Sequence, residues 1–211
     1  MATSGQERKD MAYRIITVSR QFGSGGRSIG KKLAERLGYE YYDKELVKQV
    51  SLATGFAPDY IEEKGEYAQS RSKWAYLFGG LGTAGVMNGM TPSDYLYTMQ
   101  RKVILELAEK GNCVIVGRCS DYILREREDT LHAFIHAPIP YRTERIVRLY
   151  GESEQSPAKR IADKDGKRRV NYEHFTGRTW GAAENYDISL NAAVIGEDNC
   201  VELLYRVVTE E

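Results

Sequence analysis

The chain has 211 residues, 42% of them hydrophobic, enough for one α/β domain with a sizeable core. Its 30 Lys and Arg balance 30 Asp and Glu, so no global field draws it to nucleic acid or an anionic membrane. No run of about 18 apolar residues marks a transmembrane helix. Cys113, Cys119 and Cys200 show no metal-ligand spacing and read as reduced thiols of a cytoplasmic protein.

Residues 1–12 are polar, carry no apolar signal core and read as a disordered tail, with Met11 as an alternative start. Residues 13–211 read as a single domain. Residues 14–19 (Arg-Ile-Ile-Thr-Val-Ser) predict a buried strand, and residues 28–37 a helix stopped by Gly38. Residues 39–42 predict a second strand ending at Asp43, and residues 44–54 a second helix. Pro58 and Asp59 mark a further helix start. Residues 65–93 differ: Gly79, Gly80, Gly82, Gly85 and Gly89 interrupt an aromatic stretch, which reads as a mobile insertion or a substrate-side segment. The span 44–95 as a whole reads as a helical acceptor-side insertion. Ser93 and Asp94 cap a long helix that Gly111 ends. Residues 112–117, 131–136 and 187–191 predict three more strands, and residues 200–208 a closing helix.

The alternation predicts a three-layer α/β/α fold with a parallel five-stranded sheet, and the glycine-rich loop after the first strand makes it one of the P-loop NTPase type. Ligands in such sheets bind outside the carboxyl ends of the strands. Those ends carry Ser19 to Gly26, Asp43, Gly117-Arg118 and Ala137-Pro138, so the polar and basic residues converge on one edge.

The stretch from Ile15 to Leu37 has the layout of a phosphate-binding loop: β-branched strand, glycine-rich turn, amphipathic helix. Small residues let backbone N–H groups curl around a phosphate, and the helix N-terminus adds partial positive charge. The pattern G-x-x-x-x-G-K-[ST] falls on Gln21-Phe-Gly-Ser-Gly-Gly26-Arg27-Ser28. Gln21 replaces the first glycine and Arg27 the lysine. In this register Gly23, Ser24, Gly25 and Gly26 cradle the phosphates of ATP, Arg27 supplies charge, and Ser28 offers a hydroxyl to Mg²⁺.

Arg118, beside a glycine at a strand's carboxyl end, can reach an anionic substrate bidentately. Asp43 can orient an acceptor or simply cap the following helix, and its residue type fits both. Arg142, Arg145 and Arg148 recur every three residues, and Arg142 and Arg148 read as solvated. After the break at residues 151–157, Arg160, Lys164 and Arg168 recur every four, on one helix face. With Asp165 they read as a lid over residues 151–180 that neutralises phosphoryl charge and excludes water. His132, His136 and His174 have no ligand partners at metal spacing and read as packed or surface groups.

Three segments carry a family resemblance: residues 16–30, Tyr41-Tyr-Asp-Lys-Glu-Leu46, and Val114-Ile-Val-Gly-Arg-Cys-Ser-Asp-Tyr-Ile-Leu124. Asp165 with Arg168 and Tyr172, Thr176-Gly-Arg-Thr-Trp180, and Tyr186-Asp-Ile-Ser-Leu-Asn191 complete the set. Over residues 14–208 the chain resembles the cytidylate kinase-like P-loop proteins, relatives of the nucleoside monophosphate kinases. The resemblance implies phosphoryl transfer from ATP with Mg²⁺ to a small acceptor, CMP or dCMP. It implies that Arg118 holds the acceptor nucleotide and that Asp165 and Arg168 contact its sugar and phosphate; Asp43, Asp121 and Arg160 are further candidates for acceptor binding. Small-molecule nucleotides are the expected partners, with no nucleic acid or membrane among them, and homo-oligomerisation stays open. The rival readings are a kinase for another metabolite or coenzyme precursor, and a nucleotide-binding regulatory module with little turnover.

Overall fold

The computed structural model describes residues 13–59, 61 and 89–210. The tail at 1–12 and most of the glycine-rich segment fall outside the described residues. Five strands, β1 (Ile15–Arg20), β2 (Glu40–Tyr42), β3 (Cys113–Val116), β4 (Thr130–His136) and β5 (Ile188–Asn191), form one sheet in the order β2-β3-β1-β4-β5. Every pairing is parallel, and β1 is central, with Ile16 opposite Val114 on one side and Leu131 on the other. The strands are short and rich in β-branched residues, as expected for a sheet covered on both faces.

Helices form the two outer layers. Ile16 and Val18 of β1 face α1 (Gly26–Leu37) and the last long helix, α8 (Glu197–Thr209), through Ile29, Leu33, Cys200 and Leu204. On the opposite face Ile15 packs with α2 (Lys44–Thr54) and α3 (Pro92–Lys110), through Leu46, Val50, Ile104 and Leu107. The period of two along β1 thus separates two cores. Further along that second face the β1 positions are Thr17 and Ser19, buried but polar. The remaining helices are α4 (Ser120–Ile123), α5 (Ile139–Tyr150), α6 (Pro157–Thr176) and α7 (Ala192–Ile195).

The sequence places most boundaries within two residues. Two starts differ. α1 begins at Gly26 rather than Ser28, because Gly25 takes the left-handed N-cap conformation. α8 begins at Glu197 rather than Cys200, after the turn at Gly196, with two acidic residues in its first turn. Thr91, two residues before the expected cap at Ser93, accepts the Asp94 N–H and caps α3. Among the described residues no helix is long and apolar enough to cross a membrane.

Leu107 is fully buried between α3 and the sheet. Leu107→Ala is expected to destabilise the fold by about 2–5 kcal/mol through lost transfer energy and a residual cavity. Urea unfolding measures this, and a loss below about 1 kcal/mol would show a core that collapses around the gap.

Candidate functional site

At the carboxyl end of β1 the chain turns through Gln21 to Gly25 into α1. The turn is stapled to β4. Gln21 donates its N–H to the Ile135 carbonyl at 3.0 Å and accepts the Ala137 N–H through Oε1 at 3.1 Å. The buried Ser24 hydroxyl bonds the carbonyls of Gln21 and Ile135, both at 2.9 Å. Gly25 has φ 95°, a conformation costly for residues with a Cβ. α1 has no side-chain cap and no acidic residue in its first turn, whereas α3 and α6 are capped by Thr91 and Ser156. The first N–H groups of α1 therefore lack an intrahelical acceptor and present a positive end at the sheet edge. A glycine-lined turn feeding such a helix end fits phosphate.

Behind the turn stands Asp165 of α6. Its Oδ1 accepts the Phe22 N–H at 2.7 Å. Its Oδ2 pairs with Arg142 Nη1, which also donates to the Phe22 carbonyl at 3.2 Å. Arg168 donates to the Arg20 carbonyl at 3.3 Å and lies 3.7 Å from Asp165 Oδ1. Arg142, Asp165 and Arg168 are all buried. The solvated position expected for Arg142 is therefore incorrect: α5 turns it inward, where Asp165 neutralises it. Arg148 lies on the exposed side of the same helix. Within the expected lid, α6 packs directly on the turn, and Arg160 lies apart, bonded to the Gly151 carbonyl at 3.0 Å.

The two residues given the loop's charge and metal chemistry have protein partners. Arg27 grips Asp43, with Nε 2.9 Å from Oδ2 and Nη2 3.2 Å from Oδ1. Asp43 precedes α2 but makes no side-chain cap bond, so its carboxylate serves Arg27. The Ser28 hydroxyl accepts from Arg145 Nη2 at 2.9 Å, and Arg145 Nε bonds Glu197 Oε1 at 2.7 Å. Mg²⁺ on Ser28 would therefore sit beside the Arg145 guanidinium, at a hydroxyl that already accepts one hydrogen bond.

Arg118 follows β3 in a run of three left-handed residues, Gly117 (φ 72°), Arg118 (φ 62°) and Cys119 (φ 55°). Two non-glycine residues in succession there store strain, a feature that gathers at binding sites. The turn buries Arg118, whose Nη1 donates to the Ile61 carbonyl at 2.8 Å and to Gln100 Oε1 at 3.3 Å. Arg118 then lines a cavity of about 20 Å³ together with Ser19, Arg20, Arg168, Asn171 and Trp180. Beside it lies Asp121, buried and not lining the cavity, with Ser19 Oγ donating at 3.1 Å and Tyr172 Oη at 2.7 Å. Burial raises the Asp121 pKa against these two hydrogen bonds.

The structure thus gathers Gly23 to Gly26, Arg118, Asp165 and Arg168 at one edge, with Arg27 and Asp43 paired on the flank. Sequence reasoning missed Arg20, Arg142, Arg145 and Glu197. For Arg20 a signal existed: moving the loop pattern back by one residue places it at the first glycine.

A parallel sheet of this order, wrapped by helices and carrying a glycine turn and buried arginines at its carboxyl edge, is a P-loop kinase fold. The model of the cytidylate kinase-like family matches residues 15–193, and the chain belongs to that family. It is 26% identical over 180 residues to the cytidylate kinase of Pyrococcus horikoshii, covering 85% of this chain and 80% of the relative. It is 22% identical over 195 residues to that of Ignicoccus hospitalis, covering 92% and 98%. An uncharacterized protein from Eubacterium ventriosum superposes with a TM-score of 0.68 at 24% identity, over 93% of this chain and 99% of that one. Shikimate kinase from Acinetobacter baumannii superposes with a TM-score of 0.53 at 14% identity, over 95% of both chains. Family and fold together are those of a kinase.

Because the folded state binds the Asp121 proton more tightly than the unfolded chain does, its contribution to stability is full below the ordinary aspartate value of 3.8. That contribution is lost as pH rises through the raised value. Asp121→Asn, which cannot ionise, is expected to lose less stability than the parent between pH 4 and pH 7. Urea midpoints across that range measure the difference, and parallel pH profiles would show that Asp121 titrates as an exposed carboxylate.

Proposed function

We propose that this protein transfers the terminal phosphoryl group of ATP, with Mg²⁺, to a nucleoside monophosphate, with CMP or dCMP as the acceptor. The observation that carries the reading is the cavity between the end of β1, the turn after β3 and α6. Three arginines from three separate elements line it, and none of the described residues that line it is a carboxylate. Such a lining suits an anion, and guanidinium forks match phosphate oxygens.

In this reading Gly23 to Gly26 cradle the donor phosphates against the α1 N-terminus. Ser28 would hold Mg²⁺, which would supply positive charge against the donor phosphates. Arg118 and Arg168 hold the acceptor phosphate. The buried Asp165 fixes Arg168 and the turn relative to each other, so donor and acceptor sites keep one geometry. Phosphoryl transfer asks chiefly for positioning and charge, which these groups supply. The cytidylate kinases to which the chain is similar support a cytosine nucleotide as acceptor.

Coupled ADP release with CMP, dCMP, UMP, AMP and shikimate tests this reading. CMP or dCMP is expected to give the highest kcat/KM. Arg118→Ala and Arg168→Ala are each expected to weaken transfer by about 1.5–3 kcal/mol, the worth of a charge-assisted bond, while ATP still binds. Normal acceptor kinetics in both variants would refute the assignment, and no ADP release with any acceptor would refute the reaction.

A further inference from the structure

We propose that Arg20 is the phosphate-contacting cation of the loop, standing in for the lysine that the usual pattern carries and that this chain replaces with Gly26. The inference rests on the kinase reading and specifies how its donor-phosphate site is charged.

The loop pattern G-x-x-x-x-G-K can be laid one residue earlier, from Arg20 to Gly26. Gly25, the left-handed N-cap of α1, is then the pattern's second glycine. The departures become Arg20 for the first glycine, Gly26 for the lysine and Arg27 for the Ser or Thr that follows it. In the structure Arg20 and Gly26 touch. A Cβ built on Gly26 would lie 2.5 Å from Arg20 Cβ and 2.9 Å from Arg20 Cγ. Both atoms sit at the root of the Arg20 side chain, on a central strand, and cannot swing away. Positions 20 and 26 therefore share one space, which holds one long side chain. The usual pattern puts it on the helix and leaves the strand end bare. This chain does the reverse.

The reversed side chain reaches the same edge. Arg20 is buried and lines the cavity with Arg118 and Arg168. Its Nη1 passes over Gly117, where a Cβ would collide with it, so the glycine after β3 makes room for this guanidinium. Arg27, the alternative cation, points the other way, and its fork is matched by the Asp43 carboxylate. Arg20 instead lines the cavity together with Arg118 and Arg168. Rooted on β1, it is held more rigidly than a lysine on a helix end, and its fork can bind two phosphate oxygens at once.

The test is an exchange of the two positions. Calorimetry with inorganic tripolyphosphate reads the phosphate site without a base or an acceptor, and circular dichroism checks the fold. Arg20→Ala is expected to weaken tripolyphosphate binding roughly tenfold or more, and Arg20→Lys to keep more of it than Arg20→Ala. Gly26→Lys alone forces two side chains into one space and should lose binding or unfold. The double variant Arg20→Gly/Gly26→Lys, with the usual arrangement, should fold and recover binding to within a few-fold of the parent. Parent-like binding by folded Arg20→Ala, or a double variant no better than Gly26→Lys, overturns the proposal while leaving the kinase reading intact. A parent protein that binds neither tripolyphosphate nor ATP overturns both.

Discussion

Everything at this edge depends on holding buried guanidinium groups close together. Arg20, Arg118, Arg142, Arg145 and Arg168 are all buried there. Asp165 compensates Arg142 closely and Arg168 at longer range, and Glu197 compensates Arg145. Asp121, a further buried carboxylate nearby, is pulled toward its neutral form by burial. The charged groups among the cavity's described lining residues are all guanidinium groups, and burying charge is costly. The fold tolerates it by hydrogen-bonding the arginines to backbone carbonyls: Arg118 to Ile61, Arg142 to Phe22 and Arg168 to Arg20. Carbonyl dipoles orient a guanidinium without cancelling its charge. An incoming phosphate meets donors already in place, which is how an enzyme lowers the reorganisation cost of charge transfer.

The scaffold explains the convergence. β1 lies at the centre of the sheet, and its connection runs to β2 on one side while that of its neighbour β3 runs to β4 on the other, so the turns after β1 and β3 face each other across a crevice. α6 closes that crevice from above by placing Asp165 and Arg168, three residues apart on one helix face, against the turn. The left-handed run at Gly117 to Cys119 aims Arg118 inward from the other side. Strand, helix and strained turn thus each contribute one arginine, and none depends on a flexible loop for its position.

Much of this was legible in the sequence. The strands were short, apolar and bounded by turn residues, so their number and parallel arrangement followed from pattern alone. The edge was legible because Gly117-Arg118 and the glycine turn both fall at strand ends. What the sequence concealed was side-chain direction. Arg142 and Arg148 belong to the same charged helix, yet α5 buries the first and exposes the second, a difference set by the neighbouring Asp165, which lies 23 positions later. Arg27 satisfied the loop pattern by residue type, but its partner Asp43 comes from the far end of β2. The exchange between Arg20 and Gly26 was hidden because a pattern read along the chain does not show that two positions occupy one volume.

The central claim is that this edge gathers guanidinium groups organised for phosphate. Its most direct measurement is the thermal unfolding midpoint of the parent protein in millimolar tripolyphosphate, against sodium chloride at matched ionic strength. A ligand that binds only the folded state stabilises it by about 2.7 kcal/mol at a hundred times its Kd. The account predicts a midpoint that climbs with tripolyphosphate and keeps climbing logarithmically past half-occupancy. A midpoint that follows ionic strength alone, indifferent to which anion supplies it, would contradict it.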